Sequence, residues 1–298
     1  MELFILAALA GVGVGILSGL LGVGGGTIMV PLFRLAFGLE PIMATATSLF
    51  TIIPTSLSGM AKHARNRTSI PRIGLICGLA GACFSPVGVW LATKSPNWLI
   101  MTAAALVILY SAFTMFRKAL RPEGKGLQDE QQSKTCEGVG GGVPRAVPHE
   151  PNAPVERLSE HRTCLSMGYP LPPRPAEVLQ LIAIGAFAGL CGGYVGVGGG
   201  FIMVPLFVSL LGIPMKKASG TSLMAVCILA VPGVVEQAVL GNVNFTVGLA
   251  MAAGTIPGAM AGAGLVKRVP ERSLRLLFAC FLVVMAFVLV LTELGLLS

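Results

Sequence analysis

Long apolar segments alternate with short polar ones along most of the chain, and their lengths predict helices that cross a membrane. A helix needs about 20 apolar residues to cross a hydrocarbon core of ~30 Å. Four segments have this length: residues 72–92, 97–116, 246–266 and 273–292. Residues 42–61 and 217–236 are similar but include small polar side chains. The pattern predicts an all-α fold, a polytopic transmembrane helical bundle.

One glycine-rich apolar phrase occurs twice in the chain. Residues 19–33 read GLLGVGGGTIMVPLF and residues 193–207 read GYVGVGGGFIMVPLF, with 12 of 15 positions identical at an offset of 174. The same offset aligns further residues without a gap: Gly11, Gly15, Thr47, Ser48, Gly59, Gly74 and Gly88 align with Gly185, Gly189, Thr221, Ser222, Gly233, Gly248 and Gly262. We therefore interpret residues 1–116 and 176–298 as two homologous transmembrane repeats.

The segment between the repeats, residues 117–175, has a different composition. It holds nine prolines, mixes charges of both signs and lacks helical periodicity, which predicts a largely disordered linker. The N-terminal apolar stretch could be mistaken for a signal peptide. It carries Glu2 where a signal peptide has a basic region, and it matches residues 176–187, so we expect a retained span.

Composition agrees with a membrane protein. Charged residues make up 11% of the chain and the mean hydropathy is +0.82, whereas a soluble protein has about 25% charged residues. The net charge is +8, but the basic residues lie in short loops beside the spans, so we expect the lipid bilayer and no nucleic acid as partner. The sequence predicts a multi-pass protein of the cell membrane and assigns it no oligomeric state.

The basic loops predict an inverted repeat. The loop at residues 62–72 has four Lys or Arg residues, and its equivalent at 236–245 has none. The bias reverses at the loops 213–217 and 267–275, which are more basic than their first-half counterparts. Basic loops mark the cytoplasmic side, so equivalent loops are expected on opposite sides, with the linker in the cytoplasm.

An inverted repeat requires an odd number of crossings in each half. Residues 3–38 and 177–212 are too long for one crossing and contain glycines in the middle. Each is expected to form either two short crossings or a re-entrant hairpin, as broken helices of transporters do. A simple hydropathy count gives four crossings in each half and parallel repeats, and this alternative stays open.

The glycine runs are the candidate binding site. Their backbone amides can be approached closely, and if new helices open at Thr27 and Phe201, the amides lie at helix N-termini, which attract anions. The glycines spaced by four, such as Gly11 and Gly15, are expected to serve helix packing instead. Pro31 and Pro205 are interpreted as marking a helix start or a kink.

Hydroxyl groups follow both glycine runs. Thr47-Ser48 and Thr221-Ser222 are expected either to line the site or to bond back to their own helix. His63 and Glu236 lie near span ends, where water is close. No carboxylate occurs in the middle of both halves, which favours an anion over a cation.

The sequence shows no paired catalytic carboxylates, no nucleophile motif and no Cys or His pattern of a metal site, so we expect no enzyme, no cofactor and no metal. The candidate substrate-binding residues are Gly24, Gly25, Gly26, Thr27, Thr47, Ser48, Gly198, Gly199, Gly200, Thr221 and Ser222. The candidate helix-breaking residues are Gly22, Pro31, Gly196 and Pro205.

The duplicated phrase GVGGGxIMVPLF, each copy followed by a Thr-Ser pair, resembles the sulfite exporter TauE/SafE family of membrane permeases. The resemblance covers nearly all of residues 1–116 and 176–298, and the 117–175 segment departs from the compact members. It implies a transporter of sulfite or an organosulfonate, without assigning a coupling ion. Alternating access at the repeat interface is the expected mechanism. A passive anion channel and a non-transporting membrane scaffold remain as alternatives.

Overall fold

The computed structural model describes residues 2–120 and 175–293 of the chain. These two ranges contain ten helices and no strand, which confirms the all-α fold. The helices are α1 (Glu2–Leu21), α2 (Gly26–Phe37), α3 (Pro41–Arg65), α4 (Pro71–Lys94), α5 (Asn97–Leu120), α6 (Pro175–Val195), α7 (Gly200–Leu210), α8 (Met215–Val239), α9 (Phe245–Leu265) and α10 (Glu271–Glu293). The linker predicted at 117–175 lies outside the described residues except at its ends.

Six helices of the described ranges are long and apolar enough to cross a membrane, judged by length and composition. They are α3, α4, most of α5, most of α6, α8 and α9. Five of these helices correspond to apolar segments predicted above, and α6 covers the first part of the predicted segment 177–212. The predicted segment 273–292 lies in α10. The protein is therefore a polytopic membrane protein.

The repeat is visible helix by helix. The second to fifth helices of the first half start at residues 26, 41, 71 and 97, and those of the second half start at 200, 215, 245 and 271, always 174 residues later. The glycine runs split the first apolar segment of each half, as expected. The shorter pieces, α2 and α7, have 12 and 11 residues. A helix of this length measures about 18 Å, which is too short to cross the ~30 Å hydrocarbon core.

The two halves exchange their first helices. Helix α1 packs on α9 of the other half, and α6 packs on α4. In α1, Gly11, Gly15 and Gly19 lie directly against the backbone of Met251, Thr255 and Ala259. In α6, Gly185, Gly189 and Gly193 lie in the same way against Cys77, Gly81 and Ser85, the equivalent residues of α4. The packing role expected for glycines spaced by four is confirmed.

The third helices of the two halves, α3 and α8, pack against each other in opposite directions. Gly59 near the end of α3 faces Leu223 near the start of α8, and Gly233 near the end of α8 approaches Leu49 of α3. Equivalent helices that cross antiparallel are what an inverted repeat requires. The orientation of the halves in a bilayer stays a prediction.

Candidate functional site

The two glycine loops, residues 22–25 and 196–199, meet where the halves contact each other. A methyl group added at Gly26 would lie 2.6 Å from the carbonyl oxygen of Val197, and one added at Gly200 would lie 2.6 Å from that of Val23. No side chain can be placed there without moving the opposite backbone. Both loops are buried, so the meeting point lies inside the protein.

Each loop reverses the chain through left-handed backbone. Gly24 and Gly25 have φ angles of +85° and +89°, and their equivalents Gly198 and Gly199 have +78° and +69°. The reversal brings Gly25 beside Val14 and Ser18 of α1, within 3.5 Å of an added methyl group. L-residues with side chains avoid this conformation, so glycine is required at these turns.

The loops end at two helix N-termini. Gly25 caps α2 and Gly199 caps α7, and neither receives a side-chain hydrogen bond at its cap. The amides of a first helical turn have no acceptor within the helix, and the helix dipole adds about half a positive charge. These ends are therefore suited to hold negative charge. The helices begin at Gly26 and Gly200, one residue before the positions expected.

The serine of each Thr-Ser pair binds the glycine loop of the opposite half. Ser222 Oγ donates to the carbonyl oxygen of Gly22 at 2.6 Å, and Ser48 Oγ donates to that of Gly196. Each serine also lies within hydrogen-bond distance of its own helix, at the carbonyls of Ser219 and Thr45. The serines thus join the halves, a role that the sequence did not suggest.

The threonine of each pair binds the start of the fourth helix of the other half. Thr47 Oγ1 accepts a hydrogen bond from the Asn244 amide, and Thr221 Oγ1 accepts one from the Ile70 amide, both at 3.0 Å. Asn244 and Ile70 immediately precede α9 and α4. The four hydroxyls of Thr47, Ser48, Thr221 and Ser222 therefore hold the interface on which the loops lie.

The two prolines lie in the second turns of α2 and α7, not at the helix starts. Pro31 and Pro205 are both inside helices that continue to Phe37 and Leu210. The expectation that they mark a helix start is therefore wrong by about one turn. Both are buried.

His63 is fully buried and does not face water, contrary to the expectation. Its Nε2 lies 2.9 Å from the carbonyl oxygen of Gly19, so this nitrogen carries the proton and donates. Its Nδ1 lies 2.8 Å from Thr68 Oγ1. His63 thereby ties the end of α3 to α1 just before the first glycine loop. Within the described ranges, no three His, Cys, Asp or Glu side chains form a group that could hold a metal ion.

Sequence reasoning missed several side chains around the loops. Ile52 and Val226, at equivalent positions of α3 and α8, both pack against Gly24 and Gly198. Ser56 Oγ also faces Gly24, at 3.3 Å from the position of an added methyl group. Comparing the repeats for polar residues present in one copy alone would have marked Ser56, whose equivalent is Ala230.

The comparisons with known proteins agree with this architecture. The family model of sulfite exporter TauE/SafE matches residues 7–289. The chain belongs to the sulfite exporter TauE/SafE family. It is 25% identical over 288 residues to the "Probable membrane transporter protein YunE" of Bacillus subtilis, covering 94% of both chains.

Other relatives of the TauE/SafE family carry similar names. The "Probable membrane transporter protein YdhB" of Bacillus subtilis is 24% identical over 258 residues, covering 86% of this chain and 88% of its own. A "Probable membrane transporter protein" of Xylella fastidiosa is 23% identical over 256 residues, covering 86% and 82%. No solved structure matches the chain. The family and these names place the chain among membrane transporters.

Proposed function

We propose that this TauE/SafE protein is a secondary transporter that moves a small anion, sulfite or an organosulfonate, across the cell membrane, and that it is not an enzyme. One observation carries the proposal: the two glycine loops meet at the interface of the halves, with the N-termini of α2 and α7 beside them. The substrate class comes from the description of the family. Gly24–Thr27, Gly198–Gly200 and the two Thr-Ser pairs form the proposed binding region.

The buried polar groups support an anion as the substrate. In the part of the chain that the structure describes, the fully buried polar side chains are those of Ser and Thr residues, His63 and Gln237. Such a set supplies hydrogen bonds without full negative charge. Glu236, expected near water, is half-buried in the last turn of α8, with its Oε2 buried and without a partner. Backbone amides and hydroxyls can hold an anion in this way, whereas a cation site inside a membrane usually contains carboxylates.

The two-fold arrangement supports alternating access as the mechanism. Each loop is held by a serine of the other half, and both loops are buried, so this arrangement corresponds to a closed state. A rocking motion of one half against the other would open the meeting point first to one side and then to the other. The inverted orientation of the halves, with the 117–175 linker in the cytoplasm, belongs to this proposal.

Uptake of radiolabelled sulfite and methanesulfonate into liposomes that contain the full chain tests the site. The informative variants are Gly25→Ala and Gly199→Ala, and the controls are Gly38→Ala and Gly212→Ala. All four glycines have left-handed φ angles, +89°, +69°, +62° and +64°, but nothing lies within 4 Å of a methyl group added at Gly38 or Gly212. The backbone strain is thus similar, and only the first pair changes the loops.

We expect uptake to fall about ten-fold or more in Gly25→Ala and Gly199→Ala, while both controls keep most of it. Wild-type rates in the loop variants, at normal expression, would contradict the site. Counterflow of preloaded, unlabelled substrate is expected for a carrier. Single-channel currents that do not saturate would instead indicate an anion channel. Absence of flux, with one stoichiometric partner retained on the linker, would indicate a scaffold.

A further inference from the structure

Three buried residues beside the first glycine loop carry hydroxyls without a hydrogen-bond partner. Ser18, Thr27 and Ser56 are 2%, 0% and 0% exposed, and their hydroxyl oxygens have no partner. Ser56 Oγ faces Gly24, the Cβ of Ser18 lies 3.5 Å from a methyl group added at Gly25, and Thr27 is in the first turn of α2. They come from three different helices, α3, α1 and α2.

The other buried hydroxyls of α3 all have partners. Thr51 Oγ1 donates to the carbonyl oxygen of Thr47 at 2.9 Å, and Thr55 Oγ1 donates to that of Thr51 at 2.7 Å. Thr55 also pairs with Thr255 across the interface at 2.6 Å. Helical Ser and Thr residues can usually bond back to their own helix in this way. The three unpartnered hydroxyls are therefore exceptions that call for an explanation, because a buried polar group without a partner is costly.

The three hydroxyls belong to the first half alone. At the offset of 174, Ser18, Thr27 and Ser56 align with Gly192, Phe201 and Ala230. Phe201, which is fully buried, has an aromatic ring in place of the hydroxyl of Thr27. The backbone of the two loops is duplicated, but this polar group is not. The second loop consequently presents an apolar surface at the equivalent positions.

We propose that the transported anion binds at the first glycine loop, where the hydroxyls of Ser18, Thr27 and Ser56 donate hydrogen bonds to it beside the N-terminus of α2. This inference rests on the proposed function and deepens it: the site is one-sided and takes one anion. Three donors on three helices suit a group with several acceptor oxygens, such as the –SO3 group of sulfite or a sulfonate. A halide, which has no separate oxygens, gains less from this arrangement.

A monovalent cation is the competing occupant, because hydroxyl oxygens can also coordinate sodium. The position of the hydroxyls favours the anion. The N-terminus of α2 carries partial positive charge, which attracts an anion and repels a cation. Among the described residues, no fully buried side chain is a carboxylate that would compensate a cation, and the half-buried Glu236 lies in the last turn of α8.

Binding to the purified full chain in detergent tests the inference, by calorimetric titration with sulfite, with methanesulfonate, with chloride and with sodium alone. The variants are Ser18→Ala, Thr27→Val and Ser56→Ala. Thr27→Ser, which keeps the hydroxyl, serves as the rescue. Ser85→Ala is the matched control, since Ser85 Oγ is also buried without a partner but lies against Gly233 of α8, away from the first loop.

We expect each of the three variants to raise the Kd for sulfite and methanesulfonate about ten-fold or more, as the loss of a hydrogen bond to a charged ligand does. Thr27→Ser and Ser85→Ala should bind like the wild type, and chloride should bind more weakly than either oxyanion. Unchanged sulfite binding in all three variants, or an effect on sodium alone, would overturn the inference.

The outcomes separate this inference from the proposed function. If the wild type transports sulfite and the three variants bind it normally, the one-sided site is wrong while the transport proposal stands. If the wild type neither binds nor transports sulfite or methanesulfonate, both proposals are wrong. Measuring circular dichroism of every variant identifies a loss of binding that comes from unfolding.

Discussion

At the scale of single residues, hydrogen bonds between the two halves hold the glycine loops in place. Ser48 and Ser222 each donate to a carbonyl of the opposite glycine loop. Gly22 and Gly196, which supply these carbonyls, have left-handed backbone and no helical continuation in which the carbonyl could be used. The serine hydroxyl therefore satisfies an acceptor that is buried and that would otherwise have no donor.

Removing this hydroxyl should destabilise the fold. We expect Ser222→Ala to lower the free energy of unfolding by about 1–3 kcal/mol, because the buried carbonyl of Gly22 loses its donor. Ser58→Ala is the control: Ser58 Oγ, which is partly buried, bonds only to its own helix at the carbonyl of Thr55, 2.8 Å away. The measurement is the thermal unfolding temperature in detergent. Equal temperatures for the two variants would show that the bond to Gly22 contributes nothing.

Glycine loops were predictable from the sequence, but the partners of the hydroxyls were not. Adjacent glycines inside an apolar segment indicate a backbone that a helix cannot form, so the breaks at Gly22–Gly25 could be located from local chemistry. The acceptor of Ser48 lies 148 residues away. Its identity depends on which helices of the two halves meet, and no local pattern contains that information. The same reason explains why His63 was expected near water.

At the scale of helices, small residues determine which surfaces meet. Gly15 and Gly19 of α1 lie against the backbone of α9, and Gly254, Gly258 and Gly262 of α9 lie against the backbone of α1. Two helices with glycines on both contact faces approach closely. The resulting van der Waals contacts stabilise the pair in lipid, where helices lack a hydrophobic driving force to associate. Hydropathy located the apolar segments, but it gave no sign that α1 packs on α9 of the other half.

A Gly→Ala change in α1 should therefore stabilise or destabilise the protein depending on whether the glycine is exposed or faces α9. Gly13 is exposed and nothing lies within 4 Å of an added methyl group, so Gly13→Ala should stabilise the protein by up to about 1 kcal/mol through helix propensity. At Gly15 the methyl group would lie 2.9 Å from the backbone nitrogen of Ala259, so Gly15→Ala should destabilise it. Unfolding temperatures in detergent report both effects. Shifts of the same sign would contradict the packing argument.

At the scale of the whole molecule, the exchange of helices makes the two halves interdependent. Helix α1 packs on α9, α6 on α4, and α3 crosses α8 antiparallel. Neither half therefore has a complete set of contacts by itself. Equivalent helices that cross antiparallel would place equivalent loops on opposite sides of the membrane. The distribution of basic residues among the loops predicts the same arrangement.

Single-cysteine labelling tests the opposite orientation. Arg67 and Gly241 are equivalent, exposed positions after the third helix of each half, and both have left-handed φ angles, +55° and +72°. In a chain whose seven cysteines are replaced, Arg67→Cys and Gly241→Cys are treated with a membrane-impermeant maleimide. We expect labelling of Gly241→Cys in intact cells and of Arg67→Cys only after permeabilisation. Labelling of both from the same side would indicate parallel repeats.

The distance along the chain between α1 and α9 has a consequence for biosynthesis. Helix α1 ends at Leu21 and its partner begins at Phe245, 224 residues later. At a translation rate of about 5–20 residues per second, the ribosome needs ~10–45 s to make that partner. During this time the glycine face of α1 lies in the bilayer without its partner helix α9. A chain that is released from the ribosome before α9 is made keeps this face uncovered. Membrane proteases and chaperones could recognise such an incomplete chain by that face.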